Sequence, residues 1–517
     1  MSMIKNKKSF LYLASINLRV VWNLILIFSL LAEINLYTCF GDDSQEYYVS
    51  PEGNDSNIGS IQSPWKTISY GVEQLEPGDT LILRGGVYSE SIHIYKSGTE
   101  EGYLKIINYP TERPVIDGSG NVGDNGLVIS AAYIKISGLE FKNWPGNGVW
   151  VELSHHIDIS DCFIHDVGYG IGFADGSHDF TVKDCRITLF ELYGFDASPS
   201  GGEDCYNGLI ENCSAYAGSD PEQNVDGFAL GHGDQRSFTL IDCVTYDVYD
   251  GFDISADDTV LVGCLAFSCS NAGYKIWGNN VTLMNCIGYS STTNIELDWS
   301  GTPKTVNVYH SDFVKSTTFN IWIENHRDRL YLYNSIVACG ENIGIAFEDG
   351  YQNTYKGDYN IFHNYNSERM ATIAYDKEYS IGDFLEDRWT QETEQDTHSI
   401  IIENPDSLFE DLDDMNLYPA PDSPAIDNAD DSRTIIFDFD SSERPNGDRP
   451  DIGAYEYYSI RSSARKIDYQ LPQFESPQQY EVDQDDGSEN DNSLIYILAL
   501  SLILIPVLIY IVRQKIL

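Results

Sequence analysis

Positive charge is what this sequence has least of. Against 80 Asp and Glu, its 517 residues carry 31 Lys and Arg, a formal net charge of -49. That balance excludes nucleic acid as a partner, because phosphate binding needs a Lys/Arg surface. Acidity spread along a chain suits a self-repelling soluble surface, or loops that capture hard cations. Long apolar runs are also missing, except at the two ends. Cysteine is present at ten residues, but no Cys-x-x-Cys pair or Cys/His pattern that would hold zinc accompanies it. Helical periodicity is nearly absent as well. Only Ile68, Val72 and Leu75, after Ser63-Pro-Trp65, repeat at helical spacing, and Pro77-Gly-Asp79 stops them. The 35 Tyr fit sheets and sugar platforms alike. Alone they decide nothing.

The two ends read as export and anchoring signals. Lys5, Lys7, Lys8 and Arg19 precede an apolar run over 20–31, the layout of a secretory signal, here placed at 1–40. Residues 494–512 are 19 apolar or neutral residues followed by Arg513 and Lys515. That is long enough to span a bilayer, and the trailing cations put the tail, 513–517, in the cytoplasm. Before it, 458–493 is a polar, acidic stalk that cannot bury enough apolar area to fold. The sequence therefore predicts a monomeric cell-surface protein, single-pass, with its body outside.

That body is repetitive. Ile134-Lys-Ile-Ser-Gly-Leu139 returns as Ile157-Asp-Ile-Ser-Asp-Cys162 and as Phe180-Thr-Val-Lys-Asp-Cys185, each 23 residues on. The cysteine column continues at Cys213, Cys243, Cys264 and Cys286, and Ser311 and Ser335 then take it over. Short alternating strands at a period of roughly 20–30 residues predict an all-β parallel β-helix, in which each coil adds a rung about 4.8 Å from the last. Cysteines that keep solenoid register stack as small apolar residues inside, so a ladder of free thiols is favoured over disulfides. Cys205, Cys269 and Cys339 fall off the column. The expected organisation is an N-terminal cap and first strands over 41–88, capped by the short helix, and the β-helix over 89–400, in which 364–400 reads as polar and irregular. A closing unit follows over 401–457, read as a final coil held by Asp-to-backbone bonds.

Two columns could carry chemistry. Aligned on a Gly-aromatic step (Gly194-Phe195, Gly227-Phe228, Gly251-Phe252, Gly273-Tyr274, and more loosely Asn294-Ile295), the residues after the aromatic are Asp196, Ala229, Asp253, Lys275 and Glu296. Those before the glycine are Tyr193, Asp226, Asp250, Ala272 and Thr293. Asp226 then sits one rung below Asp250, and Asp253 one rung below Lys275. Stacked carboxylates repel unless something cationic joins them, and a rung spacing suits calcium. The bland reading stands beside this one. Asp-Gly at a corner is a turn phrase, and Lys275 serves equally as an ion-pair partner of Asp253 or Glu296.

The run 226–278 resembles the family 9 pectate lyases, calcium-dependent β-helix enzymes. Their Asp-Gly-Phe-Ala, Asp-Asp-Gly-Trp-Asp and Gly-Asn-Gly-Phe-Lys-Leu-Gly-Gly phrases read here Asp226-Gly-Phe-Ala229, Tyr249-Asp-Gly-Phe-Asp253 and Asn271-Ala-Gly-Tyr-Lys-Ile-Trp-Gly278. The resemblance implies a right-handed helix, calcium ligation by Asp226, Asp250 and Asp253, and Lys275 as catalytic base. It extends more loosely to 48–55, 77–88 and Asp451-Ile-Gly-Ala-Tyr455. Tyr249 replaces a family ligand. The activity implied is β-elimination on an acidic, uronate-rich polysaccharide. Read from the residues alone, Arg236, in the loop between two site coils, is a candidate for binding a second carboxylate, with an exposed loop cation as the simpler reading. Two alternatives remain at this stage: a non-catalytic surface β-helix that binds glycans or builds the envelope, and a glycoside hydrolase using two of the carboxylates.

Overall fold

The computed structural model describes residues 44–459, apart from 121, 198–202, 219–222, 232–234, 298–301, 349–353 and 375. The expected signal and membrane segments, and the stalk from 460 on, lie outside them. Among the described residues no helix is long and apolar enough to cross a membrane.

Strands of successive coils pair in parallel to build three long sheets. The first sheet has thirteen strands, from Glu46–Val49 to Tyr355–Asp358. Within it inward apolar residues alternate with outward polar ones, as in His155–Ser160, where Ile157 and Ile159 are buried beside half-exposed Asp158. From Ile134–Ser137 on, each strand ends at a corner whose leading residue adopts positive φ, among them Asp161 (49°), Asp184 (55°), Asn212 (50°), Asp242 (53°), Gly263 (62°) and Asn285 (51°). Gly accepts that conformation freely, and Asn and Asp tolerate it through local hydrogen bonds. The next residue turns inward, and here the cysteine column falls. All nine described cysteines are free and buried. Their thiols donate weakly to carbonyls of their own corner, for example Cys213 Sγ to Glu211 O at 3.3 Å. Where serine replaces cysteine, the hydroxyl accepts a backbone N–H from the rung before, as Ser311 Oγ does from Cys286 N at 3.0 Å. The thiol ladder expected from spacing is what the interior contains.

The second and third sheets follow the corner. In three coils a single long strand crosses both: Glu140–Glu152, Phe163–Ala174 and Arg186–Ala197. From Ser214 onward they separate into short strands. On the third sheet the aromatics of the Gly-aromatic step point inward and stack: Phe195 on Phe228 (4.6 Å), Phe228 on Phe252 (4.9 Å) and Phe252 on Tyr274 (5.1 Å). Each such pair adds about 0.5–1.5 kcal/mol beyond area burial, and together they lock the register of these coils. Glycine precedes each ring for a reason. A Cβ on Gly227 would lie 2.1 Å from Thr245 Oγ1, and one on Gly251 2.5 Å from the Gly273 carbonyl.

Both ends of the solenoid are closed. The helix Ile68–Gln74, capped by Thr67, buries Ile68 and Val72 over the first coils, as its spacing predicts. At the other end, residues read from sequence as irregular form a cap. A hairpin pairs Ala371–Ile373 with Lys377–Tyr379, and helices Ile381–Leu385 and Arg388–Thr393 follow. Helices of five and six residues are too short to show a 3.6-residue period. Trp389 is buried against Phe384 and donates its N–H to Asp396 Oδ2 at 2.9 Å.

The closing unit corrects the sequence reading more fully. It adds no coil. Its strands Phe409–Asp411 and Asn416–Pro419 pair only with each other, and it packs on the outside of the second sheet. Leu408, Leu417, Ile452 and Ala454 there cover Ile287, Val314, Ile336 and Ile361. Arg444 is buried at its centre. It donates to the carbonyls of Gly453 (2.9 Å) and Ala454 (2.7 Å), contacts His310 of the solenoid, and faces Glu456 at 3.8 Å. The Asp-rich phrases bond to backbone: Asp451 accepts from Asp427 and Tyr457, and Asp438 from Ser442 and Glu456. The repeat could not reveal where this unit packs because its apolar residues match an outer sheet face rather than a coil interior.

Candidate active site

Asp226 opens the strand Asp226–Leu230, Asp253 lies in Phe252–Ile254, and Lys275 in Ala272–Ile276. With Phe228, Phe252 and Tyr274 fixed inside, the residue after each ring faces out. The pairing Ala229–Asp253–Lys275–Glu296 is one outward column, rung by rung. Asp226 pairs with Tyr193 below it, and two residues before the Phe228–Phe252 pair it stands level with Asp250, whose carbonyl accepts the Gly227 N–H at 2.9 Å. Both columns are as the spacing predicts.

The three aspartates are buried and converge. One carboxylate oxygen from each of Asp226, Asp250 and Asp253 lies within 4.8 Å of the others. Asp250 is fully buried, and its Oδ1 accepts from Asn271 Nδ2 (2.7 Å) and Ala272 N (2.9 Å), while Lys275 Nζ reaches its Oδ2 at 3.2 Å. Asp226 Oδ2 takes a long bond from Asn224 Nδ2, 3.4 Å. Its Oδ1 is buried with no hydrogen-bond partner among the described residues.

The electrostatics follow from this crowding. Burial, and then the charges of Asp250 and Asp253, push the Asp226 carboxyl up to about 8, against the pull of Lys275. Burial also raises Asp250, although Lys275 and Asn271 work the other way. For Lys275 burial alone would lower the amine, but Asp250, Asp253 and Glu296 outweigh it and hold the ammonium charged. Its Nζ also lies 5.2 Å from the centre of the Trp277 ring.

Arg236 is not brought to this cluster. It is exposed just before the first-sheet strand Thr239–Ile241, bridged between Tyr206 and Asp257, with its guanidinium 5.8 Å from the Tyr206 ring centre. Tyr249 is half-buried, and its backbone N–H bonds Val225 O at 2.8 Å. Sequence reasoning missed the amides of Asn224 and Asn271 and the Trp277 ring. Asn271 lay in the Lys275 phrase, but nothing in spacing tells a hydrogen-bonding amide from a turn residue.

A parallel β-solenoid with an acidic, lysine-bearing cluster on one outer sheet is thus the class this chain falls in. Residues 47–308 match the family described as Pel9A-like, right handed beta helix region, and the chain belongs to that family. Among curated relatives, pectate lyase PEL9 of Emericella nidulans is 27% identical over 233 residues, 40% of this chain and 49% of that protein. Pectate lyase L of Paenibacillus polymyxa is 30% identical over 244 residues, 44% and 49% respectively. The chain thus spans about half the length of these relatives. The uncharacterised YwoF of Bacillus subtilis is 27% identical over 166 residues, 28% of this chain and 36% of its own. Among solved structures, pectate lyase Pel9A superposes with a TM-score of 0.51 at 16% identity, over 80% of this chain and 97% of its own. That likeness concerns the fold.

Proposed function

We propose that the protein cleaves a uronate-rich, pectate-like polysaccharide by calcium-dependent β-elimination. The observation that carries the reading is the convergence of three buried aspartates from neighbouring rungs, oxygens within 4.8 Å, beside a lysine on the next rung. The residues fit a hard cation. Asp226 Oδ1 is buried without a partner among the described residues, one lysine cannot balance three carboxylates, and all the converging atoms are oxygens, which suit calcium at about 2.3–2.6 Å. Asp226, Asp250 and Asp253 would hold it. Bound there, calcium would offset their charge, draw in a substrate carboxylate and stabilise the negative charge that develops beside it.

The proton is the task of Lys275. In a uronate the C5 hydrogen lies α to the carboxylate. When the amine takes it, the C5 electron pair forms the new double bond to C4 and the C4 oxygen leaves with the other half of the chain. Only a neutral amine can accept the proton. The aspartates and Glu296 that now hold Lys275 charged must therefore have their charge offset before it acts, and the reaction should favour alkaline pH. The same reading places the body outside the cell, exported through 1–40 and tethered through 494–512.

The test is an incubation of purified protein with polygalacturonate and calcium, followed by the ultraviolet absorbance of the unsaturated product. If none forms from neutral to alkaline pH on several uronates, the lyase reading is wrong. New reducing ends without that absorbance would favour a hydrolase. Binding without cleavage would favour the non-catalytic alternative, which the loss of a family ligand at Tyr249 supports.

A further inference from the structure

The two columns that carry the site do not stop at it. Above Lys275 the outward column continues through Glu296 to Trp322, and above Asp250 the other runs through Ala272 and Thr293 to Phe319. Both therefore reach an aromatic residue of one strand, Phe319–Ile323, before continuing to Ile343 and Ala346. The rings lie nearly parallel, with centroids 5.3 Å apart and an interplanar angle of 24°. Trp322 is two rungs from Lys275, about 10 Å along the solenoid axis at the usual strand spacing. The steps between are Ala272 and Thr293 on one side and Glu296 on the other, all three buried, so the two rings are the next half-exposed groups along these columns.

These rings are not filling the core. Interior positions of this strand are taken by Ile321 and Ile323, both buried, while Phe319 and Trp322 are half-buried on the outer face. The Trp322 Nε1–H is turned inward, shielded, with no acceptor among the described residues. Leaving such a donor unmatched costs about 1–3 kcal/mol. What Trp322 presents to solvent is consequently hydrocarbon ring and not its polar edge. A flat apolar ring surface in line with a cluster of charged groups matches a pyranose, whose one face is C–H and whose rim is hydroxyl.

We propose that Phe319 and Trp322 form a sugar-ring platform, a subsite that grips the polysaccharide at a residue beyond the bond being broken. The proposal rests on the glycan-cleaving reading for its ligand, but not on cleavage itself. Such a subsite adds affinity only for chains long enough to reach it.

The test separates the two. In full-length protein carrying Lys275→Ala, with calcium, oligogalacturonates of increasing length are titrated by calorimetry and by intrinsic tryptophan fluorescence. Affinity should rise with length once the platform is reached. Trp322→Ala should cancel that gain, about tenfold, while leaving the shortest oligomers unchanged, and Trp322→Phe should keep most of it. Circular dichroism and melting confirm that each variant folds. An equal loss at every length, no loss for long oligomers, or no binding of any oligomer overturns the platform. If unaltered protein binds with this length dependence but yields no unsaturated product, the platform stands and the lyase reading falls. If it yields product and Trp322→Ala leaves KM for the polymer unchanged, the platform falls and the lyase reading stands.

Discussion

Lys275 stands directly over Asp253 in the sheet, and its ammonium also reaches Asp250 Oδ2 in the neighbouring column at 3.2 Å. One cation thus ties together both columns of the site. The pair is largely out of solvent, with the Lys275 side chain 13% exposed and that of Asp250 fully buried.

Replacing Lys275 should therefore have two separable effects. Lys275→Ala should lower product formation by about 10²- to 10⁴-fold, the usual worth of a general base, while calorimetry still detects calcium. Without calcium it should also destabilise, by up to about 3–5 kcal/mol, because a buried carboxylate loses its partner. Calcium should restore most of that loss in a melting experiment. A variant that keeps its rate would remove Lys275 from the chemistry.

Asp226 predicts a pH dependence. Its carboxyl is raised from 3.8 to about 8 by burial and by Asp250 and Asp253. A group raised on folding stabilises fully below its unfolded value and loses that contribution as pH climbs to its folded one. Calcium-free protein should accordingly weaken by about 1.4 kcal/mol per pH unit up to about pH 8. Calcium should flatten the slope, and so should Asp226→Asn. Melting curves with a chelator and with calcium, compared across pH, measure it.

Tyr249→Asp restores the residue that the resemblance places in the ligand set. Calcium affinity should tighten, about tenfold for 1.4 kcal/mol, and calcium-free stability should fall as a fourth carboxylate joins the cluster. Unchanged affinity would show that position 249 lies outside the shell in this chain.

The closing unit hangs on Arg444. Arg444→Ala removes donors from three carbonyls and from His310, and leaves Glu456 without its nearest cation. A cost of about 3–5 kcal/mol is expected. Limited proteolysis should then release fragments cut beyond residue 400 while the solenoid core persists.

The cysteines should be inert while the protein is folded. All nine described thiols are free and buried, and burial lifts Cys205 and Cys339 up to about 12. A thiol reagent should reach these nine only on unfolding, and a reductant should leave the melting temperature unchanged.

The coils were legible because a solenoid writes its geometry into a period. Ile134, Ile157 and Phe180 recur at one interval and pair in one sheet, and the Gly-aromatic step gave both site columns in register. What escaped had no period to show it. The helices Ile381–Leu385 and Arg388–Thr393 are too short, and the closing unit answers to an outer face. Arg236 is exposed and joins the first sheet, and loop length alone does not say which sheet a residue joins. Asn271 bonds Asp250 through a side-chain rotamer, which no spacing encodes.

The aromatic stack inside the third sheet has a consequence for how such a site can change. Rung height is set by backbone pairing, and facing by the rings Phe228, Phe252 and Tyr274. Loop length enters neither. Coils between neighbouring cysteines range from 21 to 30 residues, yet the aspartates keep their mutual distance. Insertions at the corners can therefore remodel the walls around a substrate while the reacting groups stay put. By the same logic the constellation is an address of three consecutive rungs, portable to any stretch of solenoid that repeats the Gly-aromatic step.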